Sequence, residues 1–256
     1  MSPFIIQNSY NDLNYYLVAI IFYIGCCSGS FSHSYANGII KSYNVLRRSA
    51  CDNCNRKLYW FHLFPILSFL FLKGRCFFCK TNIKIELLLF EIIFGILFVF
   101  YFTFMELLNA VFFSSLLIFL GSVFETDRKL FLIHSPTILI IFFISVLYNY
   151  LILNNINLNI EIVLLFLFGW FLIFSISYLY YIIRKIHGFG GGDKWLLACI
   201  SPLFSYIDIM YIFLLSCIFA SVVSIIFLFI ENKINNKKIP FGSYICLTTI
   251  LYPLFY

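Results

Sequence analysis

Apolar runs long enough to cross a bilayer recur along this chain, and they restrict its fold more than any other feature. A transmembrane helix needs roughly 20 consecutive apolar residues. Hydropathy windows predict such segments at 14–31, 86–105, 108–125, 131–152, 161–183, 194–206, 208–230 and 240–256. The sixth is short, and Pro202 is placed to bend or end it. Charged residues make up 11% of the chain, against about 25% in a soluble domain. The first run starts near Tyr15, with no basic residue before it and no small-residue cleavage site after it. It is therefore expected to stay as a first helix and not to be removed as a signal. The expected fold is an all-α integral membrane protein of about eight transmembrane helices, without a soluble second domain, a long linker or an internal repeat.

One long polar stretch, at about 32–85, separates the first two spans. With the N-terminus outside, this stretch is a cytoplasmic loop, and all 17 Lys and Arg then fall on the cytoplasmic side. The loop holds those from Lys41 to Lys84, Arg47, Arg48, Arg56 and Lys57 among them. The later turns and their edges hold Arg128, Lys129, Arg184, Lys185, Lys194, Lys233, Lys237 and Lys238, and the opposite side has Asp12, Glu106, Glu161 and Asp208. Such a bias predicts an N-out, C-out topology. The formal charge of +6 is then a topology signal with anionic lipid headgroups as counter-charge, and no nucleic-acid partner is expected.

Nine cysteines fall into two groups. Cys51, Cys54, Cys76 and Cys79 form two C-x2-C pairs in the loop, with 21 residues between the pairs. Two such knuckles bring four thiolates to one tetrahedral ion, which predicts a structural zinc site in reducing cytosol. A closed four-thiolate site has no open coordination position, so the metal is expected to fold the loop and not to catalyse. Cys26, Cys27, Cys199, Cys217 and Cys246 lie in apolar spans, where cysteine packs as a small hydrophobe.

Acids in or beside a span are costly and point to function. Asp127 ends the third predicted helix, and Asp193 follows Gly190-Gly191-Gly192 at the start of the sixth, so both reach the cytoplasmic face at similar depth. Glycines let an extended substrate lie close to the backbone. Two carboxylates in one site cannot easily both ionise. The charged one activates a water while the protonated one donates to a scissile carbonyl, which is peptide hydrolysis without a metal. On the residues alone two plainer readings stand beside this one. Asp127 also reads as a boundary acid paired with Arg128, and Asp193 as a helix cap. Glu91, near the start of the second helix, reads equally as a structural or a functional group.

These residues, in this order, resemble the bacterial prepilin peptidases, the type IV leader peptidases. Gly29-Ser30-Phe31 matches the family's G-S-F. Arg48-Ser49-Ala50-Cys51, Cys54, Pro65-Ile66-Leu67-Ser68, Lys73-Gly74-Arg75-Cys76, Cys79 and Glu91 follow its loop pattern, and Gly190-Gly191-Gly192-Asp193 is its G-x-G-D. Pro240-Phe241-Gly242 matches its closing P-F-G. The resemblance implies a membrane aspartic endopeptidase of the bacterial inner membrane. Its implied catalytic residues are Asp127 and Asp193, and its implied reaction removes the basic leader of type IV prepilins and pseudopilins after a glycine at the cytoplasmic face. It implies zinc on Cys51, Cys54, Cys76 and Cys79. For many members it also implies N-methylation of the new N-terminus from S-adenosylmethionine. The expected division is 1–31 as first helix, 32–85 as zinc-binding loop and methyl-transfer part, and 86–256 as a seven-helix peptidase.

The chain departs from the family pattern at several points. The [IL]-P-D that follows the first catalytic aspartate reads Ile133-His134-Ser135, and Glu125 stands two residues before Asp127 as a competing acid. Lys194 and Trp195 follow Asp193, where the family has lysine two residues on. His33 and Gly38 replace the usual asparagine and arginine. His187 lies three residues before Gly190, and His33, His62 and His134 have no metal-ligand partners at useful spacing. A non-enzymatic scaffold of a pilus or secretion assembly would keep the cysteines and topology but has no need of two acids at one depth. A small transporter would place its acids deeper in the bilayer.

Overall fold

The structure is a computed structural model that describes residues 15–43, 49–51, 53–153, 158–185, 188–231 and 239–254. Asp12, Arg47, Arg48, His187, Lys233, Lys237 and Lys238 lie outside the described residues. In hydrocarbon every backbone N–H and C=O must be satisfied within its own segment, so the apolar runs become helices. They are α1 (Tyr15–Ile40), α3 (Ile85–Phe104), α4 (Leu107–Leu130), α5 (Ser135–Tyr148), α6 (Leu158–Arg184), α7 (Gly191–Ile200), α8 (Tyr206–Glu231) and α9 (Phe241–Leu251), with a five-residue α2 (Leu67–Phe71) in the loop. Each of the eight predicted stretches overlaps one of the eight longer helices. Six of these, α1, α3, α4, α5 with the turn after it, α6 and α8, are long and apolar enough to cross a membrane. By contrast, α7 and α9 have 10 and 11 residues, about half the length a span requires. Pro202 sits in the 3-10 turn Ser201–Leu203 that ends α7.

The chain divides into two compact units, the first reaching Ser122 and the second starting at Val123. Within the first, α1 and α3 approach at glycines. A side-chain carbon on Gly25 would lie 2.8 Å from the Gly95 backbone, and one on Gly29 would lie 2.8 Å from the Phe90 carbonyl oxygen. Small residues of this kind let membrane helices pack backbone to backbone. The first helix continues nine residues past its predicted end at 31. Its last turns are polar by composition, yet Ser32, His33, Ala36 and Gly38 are buried there, and the Ser32 hydroxyl donates to the Ile118 carbonyl at 2.7 Å. Hydropathy cannot see that a polar helix face has found protein partners.

The loop holds two copies of one small turn. The Cys51 amide bonds to the Arg56 carbonyl and the Asn55 amide to the Cys51 carbonyl; 25 residues on, Cys76 bonds to Thr81 and Lys80 to Cys76 in the same way. Asn55 and Lys80, at matching places, both take positive φ (54° and 58°), and single antiparallel bridges, Ala50 to Lys57 and Arg75 to Asn82, close the two turns. Apart from the paired cysteines, the repeat is geometric and not legible as sequence identity. Between the turns the stretch is not polar as expected: residues 58–72 contain no charged side chain.

In the second unit, α5, α6 and α7 are tied by buried polar contacts. The Ser145 hydroxyl donates to the Cys199 carbonyl at 2.7 Å, the Asn149 amide to the Pro202 carbonyl, and Ser201 fills the space left by Gly169. Cys26, Cys199 and Cys246 are buried, Cys217 is half-buried and Cys27 is exposed.

Candidate active site

Helix α4 carries Asp127 in its last turn and ends as Phe131 swings to φ 55°, its amide still bonded to the Asp127 carbonyl. Two residues later Ile133 leads into α5, which starts at Ser135 with Pro136 next to it. Proline suits a first helical turn, where its missing N–H is not needed. The chain thus keeps a helix-starting proline, two positions later than the family pattern.

Asp193 is the third residue of α7, and its Oδ2 accepts a hydrogen bond from the Gly190 amide at 3.0 Å. This is half of a capping box, a reach back to the residue that precedes the helix. The capping reading of Asp193 therefore holds, without using its other oxygen. Asp127 does for α9 what Asp193 does for α7. Its Oδ2 accepts the amide of Ser243, third residue of α9, at 2.7 Å. The Ser243 hydroxyl proton is shared between that same oxygen at 3.1 Å and the Phe124 carbonyl at 3.0 Å. Helix amino ends leave such amides without intrahelical partners and favour negative charge. Two helix starts thereby aim two carboxylates into one place.

Gly242 is that place. A side-chain carbon there would lie 3.0 Å from Asp193 Oδ1, 3.1 Å from Asp127 Oδ2 and 2.8 Å from Ile133. The two oxygens are therefore within about 6 Å of each other, close enough for their charges to interact strongly. Both carboxylates are nearly withdrawn from the surface, at 5% and 6% exposure. Ile133 also packs on Gly192, where an added carbon would lie 3.1 Å from it. Gly191, by contrast, has nothing within 4 Å of where a side chain would start, which leaves an open approach beside the acids. Glu125 does not share this place: it is fully buried and pairs with Lys129 one turn on.

The sequence brings Asp127, Asp193 and the three glycines forward, and the fold puts all five in one neighbourhood with Gly242. Ser243 escapes a reading of the sequence. The available signal is a hydroxyl residue directly after Pro240-Phe241-Gly242 in the first turn of a helix, where the backbone amide is also without an intrahelical partner.

In the loop, the sulfurs of Cys51, Cys54, Cys76 and Cys79 all lie within 4.8 Å of one another, and those of Cys51 and Cys79 are 3.7 Å apart. Four sulfurs about 2.3 Å from a central zinc in tetrahedral array fit that spacing. A hydrogen bond from the Thr81 hydroxyl, with the Thr81 amide behind it, pushes the Cys79 thiol down to about 6, which favours the thiolate a metal needs. Beside the cysteines a cavity of about 430 Å³ is lined by Ser30, His33, Asn37, His62, Phe77 and Glu91, among others. Glu91 is almost fully buried and accepts the Ile66 amide at 2.8 Å. His62 is buried among aromatic rings. Its ring nitrogens have no hydrogen-bond partner among the described residues.

The family model for the bacterial peptidase A24 N-terminal domain matches residues 23–117, and that for the type IV leader peptidase family matches residues 112–225. Among curated relatives, the prepilin leader peptidase/N-methyltransferase of Vibrio cholerae is 29% identical over 175 residues, 68% of either chain. The protein of the same name from Pseudomonas aeruginosa is 27% identical over 213 residues, 80% of this chain and 71% of its own. That from Bacillus subtilis is 35% identical over 136 residues, 51% of this chain and 53% of its own. No solved structure matches the chain.

Proposed function

The chain belongs to the type IV leader peptidase family, and from that premise we propose that it removes the leader of type IV prepilins or pseudopilins at the cytoplasmic face of a bacterial inner membrane. The observation that carries this reading is the meeting of Asp127 and Asp193 around Gly242. Of two carboxylates this close, one keeps a proton. The ionised one takes a proton from water as the water oxygen bonds to the scissile carbonyl carbon, and the protonated one gives its proton to the carbonyl oxygen. Collapse of the tetrahedral intermediate breaks the C–N bond, and the leaving amine takes up a proton. The open side at Gly191 is where an extended substrate strand lies. The stretch 86–256 is the peptidase part in this assignment, and 32–85 is the zinc-binding and methyl-transfer part.

Zinc, when bound to Cys51, Cys54, Cys76 and Cys79, supplies a crosslink that folds the loop. S-adenosylmethionine, when bound, supplies the methyl group for the new N-terminus. The cavity beside the cysteines suits such a ligand in size. Its Glu91 carboxylate matches a cationic ligand, and the His62 nitrogens offer polar contacts that no described residue takes up.

The test is co-expression with a type IV prepilin in a host lacking its own peptidase. A shift of the prepilin to its leaderless length is expected on a gel, and mass spectrometry of the product reads its N-terminal methylation. An intact prepilin beside well-inserted enzyme would remove the peptidase reading.

Ser243 gives a finer prediction. Ser243→Ala deletes the hydroxyl and keeps the amide, so cleavage should fall by about tenfold or less. Ser243→Pro deletes both donors at a position where proline is compatible with the helix, and a loosened Asp127 should cost about 100-fold. Steady-state cleavage of a leader peptide checks this, with the loss expected in kcat more than in KM. Equal rates for both variants would deny Ser243 its role in holding Asp127.

A further inference from the structure

The loop's central segment, Trp60–Leu72, carries large apolar side chains that the protein does not cover. Phe71 is 84% exposed, Trp60 69% and Leu70 62%. Such a patch in a loop assigned to water is anomalous, and residues 58–72 have no charge, while Lys57 and Lys73 bracket them. An apolar run of this length is too short to span and is of the kind that dips into a membrane or lies at its surface.

Its position within the first unit says which. The tip, Pro65–Leu67, lines an apolar recess together with Val18 and Phe22 of α1 and with Ile96 and Val99 of α3, and Phe64 meets the ring of Tyr23 at 6.4 Å. Ile96 is eleven residues beyond the start of α3 at Ile85, about 16 Å along its axis and near the middle of a ~30 Å hydrocarbon core. Backbone that leaves helical geometry at such depth must have its polar groups satisfied by protein. Ile66 does leave it, at φ 59°, and its amide is met by the buried Glu91 carboxylate at 2.8 Å. Past the tip, Ser68, Leu70 and Leu72 donate back to Phe64, Ile66 and Ser68. This gives a physical reason for a carboxylate inside the apolar α3: it receives the amide that the turn exposes.

We propose that Trp60–Leu72 is a re-entrant, lipid-covered hairpin, whose outward aromatic and leucine side chains contact acyl chains. Three things name the lipid as occupant. The patch is continuous with the outer surface of two spans, Trp60 and Tyr59 are residues of the interfacial belt, and the bracketing lysines match anionic headgroups. The two cysteine turns, one on either side of the hairpin, are then held at the membrane surface.

The wild-type protein tests this directly. It is reconstituted with phospholipid that bears a photoactivatable diazirine in mid-chain, irradiated and digested. Lipid adducts are expected on peptides from 60–72 at a density comparable to the outward faces of α1 and α3. Recovery of that peptide without adducts, together with hydrogen exchange as fast as an aqueous loop, would overturn the proposal. So would its crosslinking to a photoactivatable prepilin helix in place of lipid, which would assign the face to substrate. Neither readout uses catalysis, so the result is independent of the peptidase reading.

Discussion

Asparagine in place of either Asp127 or Asp193 is expected to leave a chain that inserts normally and cleaves prepilin roughly 100- to 10,000-fold more slowly, the range that general acid–base groups supply. The substitution keeps shape. In Asp127→Asn the new side chain keeps a carbonyl oxygen for the Ser243 amide, and in Asp193→Asn it keeps one for the Gly190 amide, so both helix starts stay capped. What goes is the ability to hold or release a proton beside the other acid. Because the two groups act as one device, the double variant should be little worse than either single one. Leader loss from a co-expressed prepilin, normalised to inserted enzyme, measures it. A single variant cleaving at the wild-type rate would sink the dyad. The same result with Glu125→Gln dead would move the chemistry to the acid paired with Lys129.

Removing the metal is expected to give the second large effect. The two cysteine turns are held by a few backbone hydrogen bonds and two isolated bridges, each hydrogen bond contributing about 0.5–1.5 kcal/mol net. Zinc binding in small zinc-finger peptides contributes about 10–16 kcal/mol. A strong chelator, or Cys51→Ser with Cys76→Ser, should release the bound zinc. Amides of 49–57 and 74–83 should then exchange freely, while those of α4 to α9 stay protected. Hydrogen exchange with mass spectrometry, alongside metal analysis of the purified protein, reads both. Full protection of both turns after zinc loss would show that the polypeptide folds them unaided.

Much of this is legible along the chain because the decisive signals are local. A span is a run of neighbours, and a zinc knuckle is two cysteines three positions apart. The G-x-G-D string places its acid one residue from the glycines. The limits of reading by neighbours appear at particular residues. Ser32 to Ile40 look like loop by polarity, and only their packing inside the first unit makes them helix. Trp60 to Leu72 read as part of a polar loop because charges on either side outweigh a run too short to count as a span. Glu125 and Asp127 compete on the page, and what separates them is what each meets: Lys129 for one, Ser243 and Gly242 for the other.

The sequence by itself determined that the chain lives in a membrane, where its charges fall, which four sulfurs gather, and which acids are candidates for chemistry. The tertiary structure decided that Asp127 caps a helix 116 residues further along, that Gly242 leaves the gap in which the two carboxylates meet, and that Glu91 answers the amide of Ile66. The physical reason is the range of the forces. Hydrophobic partition and helix formation act on consecutive residues and leave a periodic or compositional trace. A hydrogen bond between distant segments depends on where folding brings single atoms, and no pattern along the chain records it.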